Sequence, residues 1–374
     1  MMGRDIIKNS PTHQIIQVKL GKKSYPIFIG FDLLDKTGDY AKELGNSCFI
    51  ISQPKIFSLY GERLKESLKK NGISVKEALI GEGERHKSFF SLKNILKEII
   101  SFDSGRKRLF IANLGGGIVG DVGGFVAAIY KRGIDYINIP TTLLANVDSG
   151  IGGKTGVNFM GIKNIIGSFH QPSLVISDLS LLKTLPREEI IGSMAEVVKY
   201  GVIKNPRFFR YIEKNVDEIL SLKSPYIEYI VSMCYKIKAR VVQQDEFDKK
   251  GIRAILNYGH TIGHSLEAGG GLVKRHGDAI SIGMVAINRL AVKLGFLKEK
   301  EGIRIKNLLL RIGLPVKIKP CDIDKIMSPL LHDKKFTGKI RLVIPERIGR
   351  VRLAERMDEK EIILALKEIM NFEC

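Results

Sequence analysis

The stretch RLFIANLGGGIVGD, residues 108–121, decides the fold. Its first half is a short apolar run rich in residues that favour strands. Its second half is a glycine turn that opens a new apolar stretch. Gly115, Gly117 and Gly120 satisfy the spacing G-x-G-x-x-G, with Gly116 between the first two and Asp121 closing the turn. Glycines placed this way let backbone N–H groups approach a pyrophosphate at a helix N-terminus. The competing explanation is a tight strand-to-helix turn with no ligand. The acidic residue that normally follows about 20 positions later is absent, because the next strand, YINIPTT, ends in Thr141 and Thr142. A dinucleotide would therefore need other loops. EGERHKS, residues 82–88, is one, and Thr141 and Thr142, which could equally cap a helix, are another.

Working outward, further strand candidates are residues 15–20, 24–30, 47–52, 75–81, 136–142 and 173–179, with helical stretches at 55–70 and 88–102. The alternation implies an α/β layer with a largely parallel sheet, and a hairpin for the first two strands. After residue 187 the apolar spacing becomes helical, punctuated by Pro206 and Pro225. The expectation is an α/β Rossmann-like domain over 1–186, a mostly α-helical domain over 187–374, and an active site in the cleft between them.

Composition narrows the classes. The chain has 374 residues, enough for two domains, and 44% hydrophobic residues, enough to build cores. Sixty Lys and Arg against forty Asp and Glu give +20, which favours an anionic partner. No binding motif accompanies that charge, Trp is absent and aromatics are sparse, so nucleic acid is disfavoured. No apolar run suits a membrane span or a signal peptide, and the four cysteines form no C-x-x-C pair. These features point to the cytoplasm.

Two more motifs carry chemistry. DSGIGGKTGVN, residues 148–158, and GIKN, residues 161–164, combine glycines with Lys154, Lys163 and Asn164, which suits an anion cradle or a plain surface loop. It is not an ATP-binding P-loop, because Ser149 stands where the first glycine is required. LNYGHTIGHSLE, residues 256–267, places His260 and His264 on one helix face, and His276 follows at the mouth of the next helix. Upstream, Glu196 and Lys199 lie three apart in SMAEVVKYG. Neutral imidazoles plus a carboxylate suit a divalent zinc-like metal, although a lone histidine is more often a hydrogen-bonded structural residue.

Taken together, EGERHKS, GGGIVGD, RGIDYINIPTTLLANVDSGIGGKTGVN, GIKNIIGSF, LKTLP, SMAEVVKYG, LNYGHTIGH, RHGDAI and HDKK resemble the 3-dehydroquinate synthases, in that family's order, from residue 82 to residue 335. The resemblance implies a lyase of the shikimate pathway. It would convert 3-deoxy-D-arabino-heptulosonate 7-phosphate, a small phosphorylated sugar acid, into 3-dehydroquinate and phosphate, using NAD and one divalent metal. Zinc is the expected metal, with cobalt the alternative. It implies metal ligands at Glu196, His260 and His276. It implies NAD contacts at Glu82, Gly83, Glu84, Arg85, His86, Lys87, Gly115, Gly116, Gly117, Gly120, Asp121, Thr141, Thr142, Lys154, Lys163, Leu181, Leu182, Lys183 and Thr184. Substrate groups would be Asp148, Lys154, Asn164, Lys199, Lys238, Arg253, Asn257, His264 and Lys335 of the 333–335 run. A homodimer is implied, with Arg132 reaching the partner subunit's site.

Overall fold

The computed structural model describes residues 13–269, 273, 275–319, 321–337, 340–355 and 357–370, with only the backbone of 332–337. Two units emerge: residues 1–185 with Ile227–Phe247, and residues Pro186–Tyr226 with 248–374.

Among the described residues the first unit is built on nine strands, in order β1 (His13–Val18), β2 (Tyr25–Gly30), β3 (Ser47–Ser52), β4 (Ser74–Leu79), β5 (Leu109–Gly115), β6 (Tyr136–Pro140), β7 (Lys154–Phe159), β8 (Ile162–Phe169) and β9 (Leu174–Asp178). Helices α1 (Thr37–Ala41), α2 (Pro54–Lys70), α3 (Phe89–Phe102) and α4 (Gly117–Ile129) lie between them. Seven strands form one sheet in the order β1-β2-β9-β6-β5-β3-β4. β1 and β2 pair antiparallel, as the missing intervening helix predicts, and the remaining pairs are parallel. β3, β5, β6 and β9 are buried along their whole length, which is why they read as continuous apolar runs. One core cluster contains Ile50, Leu64, Phe110 and Ile176, another Phe49, Ile95, Ile111 and Val126. They gather alternate residues of the same strands, as a sheet covered on both faces requires. Every strand candidate of the α/β half became a strand of this sheet.

Two findings depart from the sequence reading. The second glycine cluster is not a loop but the antiparallel hairpin β7–β8. Gly156 and Gly167 face each other across it, and a Cβ on either would lie 2.5 or 2.1 Å from a carbonyl oxygen of the opposite strand. In addition, residues Ile227–Phe247, expected in the helical domain, group with the first unit. They form most of a helix whose Lys238 bonds Asp148, while Glu246 and Phe247 meet Lys23 and Phe169. Helical spacing shows that a face is buried, not which domain buries it.

The second unit contains α5 (Arg187–Lys204), α6 (Pro206–Lys214) and α7 (Val216–Leu220), and the chain then runs through α8 (Tyr226–Gln244) back into the first unit. It resumes with α9 (His260–Ala268), α10 (His276–Lys293), α11 (Glu299–Ile312) and α12 (Asp324–Thr337). The hairpin of β10 (Arg341–Arg347) and β11 (Arg350–Glu355) and the final helix α13 (Glu359–Met370) complete it. Asn205 caps α6, accepting from the N–H of Arg207 and Phe208 ahead of Pro206.

Candidate functional site

In the second unit, three helices bring the carboxylate and imidazoles together. Glu196 lies in mid-α5 and is fully buried; His260 and His276 are the first residues of α9 and α10. His260 Nε2 is 3.3 Å and His276 Nε2 3.7 Å from Glu196 Oε1, and His276 Nδ1 is 3.5 Å from Glu267 Oε1. Potential donor atoms of Glu196, His260 and His276 lie within 4.8 Å of one another, as do those of His264, Glu267 and His276.

Glycines permit this approach. A Cβ on Gly277 would sit 1.9 Å from the carbonyl oxygen of Gly192, and one on Gly283 2.1 Å from that of Gly259. Gly259 itself takes a left-handed conformation, φ +80°, that turns the chain into α9. The sequence reading missed these roles. Their signal was present as glycines next to both histidine motifs.

The donor set fits a divalent cation. His260 Nδ1 lies 3.2 Å from the Tyr258 carbonyl, the usual arrangement that commits one imidazole nitrogen as a donor and leaves Nε2 as a ligand. The Glu196 oxygens make no well-directed hydrogen bond but are surrounded by Lys199 and the two imidazoles. Burial alone would raise the Glu196 pKa; Lys199 and His260 outweigh it and hold the carboxyl well below its ordinary range. Burial likewise lowers His276, but Glu196 and Glu267 push it up to about 9. A buried anion facing imidazole nitrogens is what a cation would replace a proton in.

Around this cluster, Lys199 is 1% exposed and Arg253 4%. Arg253 sits on a short 3-10 turn, Ile252–Asn257, entered through Gly251 at φ +72°. Asn257 and His264 are exposed, with the His264 ring 5.3 Å from that of His260. The Lys335 side chain lies outside the described residues.

In the first unit, the glycine turn runs from the end of β5 into α4, with Gly116 as the N-cap. Cβ atoms on Gly115, Gly116 and Gly117 would press on Val119, Thr142 and Ser149, so these glycines let neighbouring elements close on the turn. Gly120 would meet only Asn138 at 3.9 Å. Thr142 is indeed a cap: its hydroxyl accepts from the Ala145 N–H. Thr141 is not; its hydroxyl, like that of Ser149, is buried without a hydrogen-bond partner beside the turn. Two orphaned hydroxyls at a glycine-lined helix start fit a polar ligand such as a dinucleotide.

The EGERHKS segment is tied to the same region. Lys87, 5% exposed, bonds Asp121 at 2.5 Å and also the Asn164 side chain. Burial raises the Asp121 pKa and Lys87 partly offsets this. Glu84 accepts from Asn158, and His86 lies over Gly81. Glu82, Gly83, Glu84 and Arg85 are exposed. Lys154, Asn164 and Asp121 line a depression of about 320 Å³ beside β7–β8; Lys163 is exposed on β8. Leu181 and Leu182 are core residues, and only Lys183 and Thr184 of that segment face outward. Lys238 donates to Asp148 Oδ1 and its carbonyl, at 2.8 and 2.7 Å. Arg132 projects from a turn where Lys131, Arg132 and Gly133 all have positive φ, held by Lys131 and Tyr130 on Asp103.

Comparison with known proteins agrees with these observations. Residues 77–192 match the 3-dehydroquinate synthase N-terminal model and residues 193–336 the 3-dehydroquinate synthase C-terminal model. The chain is 46% identical over 343 residues to the 3-dehydroquinate synthase of Pelotomaculum thermopropionicum, covering 90% of this chain and 92% of that protein. Among solved structures it resembles a 2-deoxy-scyllo-inosose synthase complexed with carbaglucose-6-phosphate, NAD+ and Co2+, at TM-score 0.86 and 25% identity, covering 96% and 100%. It also resembles 2-epi-5-epi-valiolone synthase from Streptomyces hygroscopicus with NAD+ and Zn2+ bound, at TM-score 0.85 and 26% identity, covering 94% and 98%.

Proposed function

The chain belongs to the 3-dehydroquinate synthase family, and from that premise we propose how its residues divide the conversion of 3-deoxy-D-arabino-heptulosonate 7-phosphate to 3-dehydroquinate and phosphate. The observation that carries the reading is the buried carboxylate of Glu196 facing His260 and His276.

A divalent cation, zinc or cobalt, would be held by Glu196, His260 and His276. NAD would be held by the glycine turn with Thr141 and Ser149, and by the Glu82–Lys87 segment. Bound together, they supply reversible hydride transfer and a Lewis-acid charge on substrate oxygens. The relatives that carry NAD+ with Zn2+ or Co2+ support this pairing.

The remaining residues bind and orient. Lys154, Asn164, Asn257 and His264 hold the phosphate through charged and neutral N–H donors, together with Arg132 of a partner subunit in a homodimer. The positive-φ turn supports that last role, because a conformation costing about 1–3 kcal/mol at non-glycine residues is held in place by Asp103. Lys238 and Arg253 pair with the substrate carboxylate. Asp148 accepts from the Lys238 ammonium and fixes its direction. Lys199, buried against Glu196, adds positive charge next to the cation's ligand. Each such charged contact is worth about 2–4 kcal/mol when lost.

Purified protein supplied with NAD and zinc should release phosphate from the heptulosonate phosphate without net NADH. No release under those conditions refutes the assignment. Glu196→Gln should lose bound zinc while NAD binding is kept; full zinc stoichiometry would remove Glu196 from the ligand set. Arg253→Ala should harm the carboxylated substrate more than a non-carboxylated analogue.

A further inference from the structure

In the first unit, Lys87 ties three segments together. Its carbonyl accepts from the Asn158 N–H at 2.8 Å, and Ser88 forms a bridge to Asn158, so the 82–88 segment ends alongside β7. Lys87 is 5% exposed, unusual for a lysine. Its ammonium donates to Asp121 Oδ2 in α4 and to Asn164 Oδ1 in β8.

The second of these bonds decides which way the Asn164 amide faces. The oxygen and nitrogen ends of an amide are nearly the same shape, so packing alone does not choose between them. An ammonium has N–H donors and no acceptor, so it takes only the oxygen. The amide nitrogen, with its two N–H donors, is then the end turned away from Lys87. Asn164 is exposed and borders, with Lys154, the depression of about 320 Å³ beside β7–β8. Its backbone is held as well. Asn164 has φ +55°, a conformation Asn tolerates, and its N–H donates to Asn158 Oδ1 at 2.8 Å. Asn158 Nδ2 in turn donates to Glu84 Oε1 at 2.8 Å.

Asp121 fixes the lysine in this position. It also sets what happens when the ammonium is removed. Asp121 and Asn164 bond the same nitrogen, so without it the carboxylate becomes the acceptor beside the Asn164 amide. The amide then turns its N–H2 inward to the carboxylate and its oxygen outward, because a charge-assisted bond is the stronger one. An outward oxygen repels an anion that an outward N–H2 would bind.

We propose that Lys87 is a positioning residue for the phosphate: it fixes the Asn164 amide with its N–H2 toward the anion. This rests on the reading that Asn164 holds the substrate phosphate. It gives Lys87 a role separate from contact with the nucleotide. Through one side chain it joins the nucleotide-binding segment to a phosphate donor.

Inorganic phosphate and sulfate are the probes, titrated by calorimetry into the full chain at saturating zinc and NAD. Asn164→Ala and Lys87→Met should each weaken phosphate about tenfold. The double variant should bind no more than about threefold more weakly than Asn164→Ala alone, because Lys87 acts through Asn164. Sulfate has no proton to offer an outward oxygen, so Lys87→Met should weaken sulfate more than phosphate. A general loosening of the fold would weaken both alike. A double-variant loss equal to the product of the single losses, or equal losses of the two anions in Lys87→Met, overturns the proposal and leaves Asn164 in the phosphate set. Unchanged phosphate affinity in Asn164→Ala removes Asn164 from that set and overturns the proposal with it. If Lys87→Met does not fold by thermal melt, Asn164→Asp decides. That change keeps an oxygen for Lys87 and turns a second oxygen outward, so phosphate should bind more weakly than to Asn164→Ala; equal or tighter binding overturns the proposal.

Discussion

Replacing Gly277 by alanine tests whether the approach of α5 and α10 is what assembles the metal ligands. The new Cβ would lie 1.9 Å from the Gly192 carbonyl oxygen, whereas ordinary contact begins at 3.4 Å. The obstacle is backbone, which cannot rotate away, so the helices must part by about 1.5 Å or distort. Overpacking typically costs about 1–3 kcal/mol, and a backbone obstacle puts this substitution at the upper end. The neighbouring residue is His276, and α5 carries Glu196 one turn beyond Gly192. Ligand distances tolerate about 0.2 Å, far less than the displacement required. Zinc affinity should therefore fall by about 10–100-fold, the usual cost of disturbing ligand support. Alanine has the better helix propensity by about 1 kcal/mol, so any loss of stability cannot be blamed on propensity. Gly192→Ala is the control: it points into open space and should be neutral or stabilising. Chelator competition gives the zinc affinity and a thermal melt the stability. A Gly277→Ala protein that melts and binds zinc like the unaltered chain would refute the argument.

Three other outcomes are expected. Thr141→Val removes a buried hydroxyl with no partner, so the nucleotide-free protein should melt no lower, while NAD affinity measured by calorimetry falls about tenfold; unchanged affinity would place the nucleotide elsewhere. Burial raises the Asp103 carboxyl, but Lys131, the Gly105 N–H and the Tyr130 hydroxyl together hold it below its ordinary range. Its stabilisation is thus present above the unfolded pKa and lost as pH falls through the lower folded one. Asp103→Asn should cost about 1–2 kcal/mol in urea unfolding at pH 7, and the gap should close as pH falls through the lowered carboxyl value; a gap that persists in acid would contradict the ionic account. Burial pushes the thiol of Cys48 well up, so native protein should leave it unlabelled by iodoacetamide at pH 8, and peptide mapping should find it labelled only after denaturation.

Much of the first unit was legible because parallel strands buried on both faces leave apolar runs such as FIIS and FIANL that only a strand of that length explains. The histidine spacing was legible for a similar reason: a helix turns four residues into one face, and His260 and His264 do lie ring against ring. The β7–β8 hairpin was not, because glycines at 152, 153, 156, 161 and 167 read as loop, whereas Gly156 and Gly167 serve close contact between the strands. Nor was β10–β11, whose Pro345 and many charged residues mask the strand pattern. The Lys238–Asp148 pair spans 90 residues, and no local pattern announces a contact at that separation.

The return of α8 to the first unit has a consequence for how such a chain can be altered. The chain passes from one unit to the other three times, near residues 185, 226 and 247. No single cut yields two intact halves. A fragment ending at Leu185 lacks the helix that supplies Lys238 to Asp148, and its complement carries that helix without the strands it was shaped to cover. Recombination at one crossover, a ready route for exchanging modules joined by a simple linker, would leave both products incomplete. The interleaving ties the inheritance of the glycine turn to that of the histidine cluster, so the two are expected to travel together.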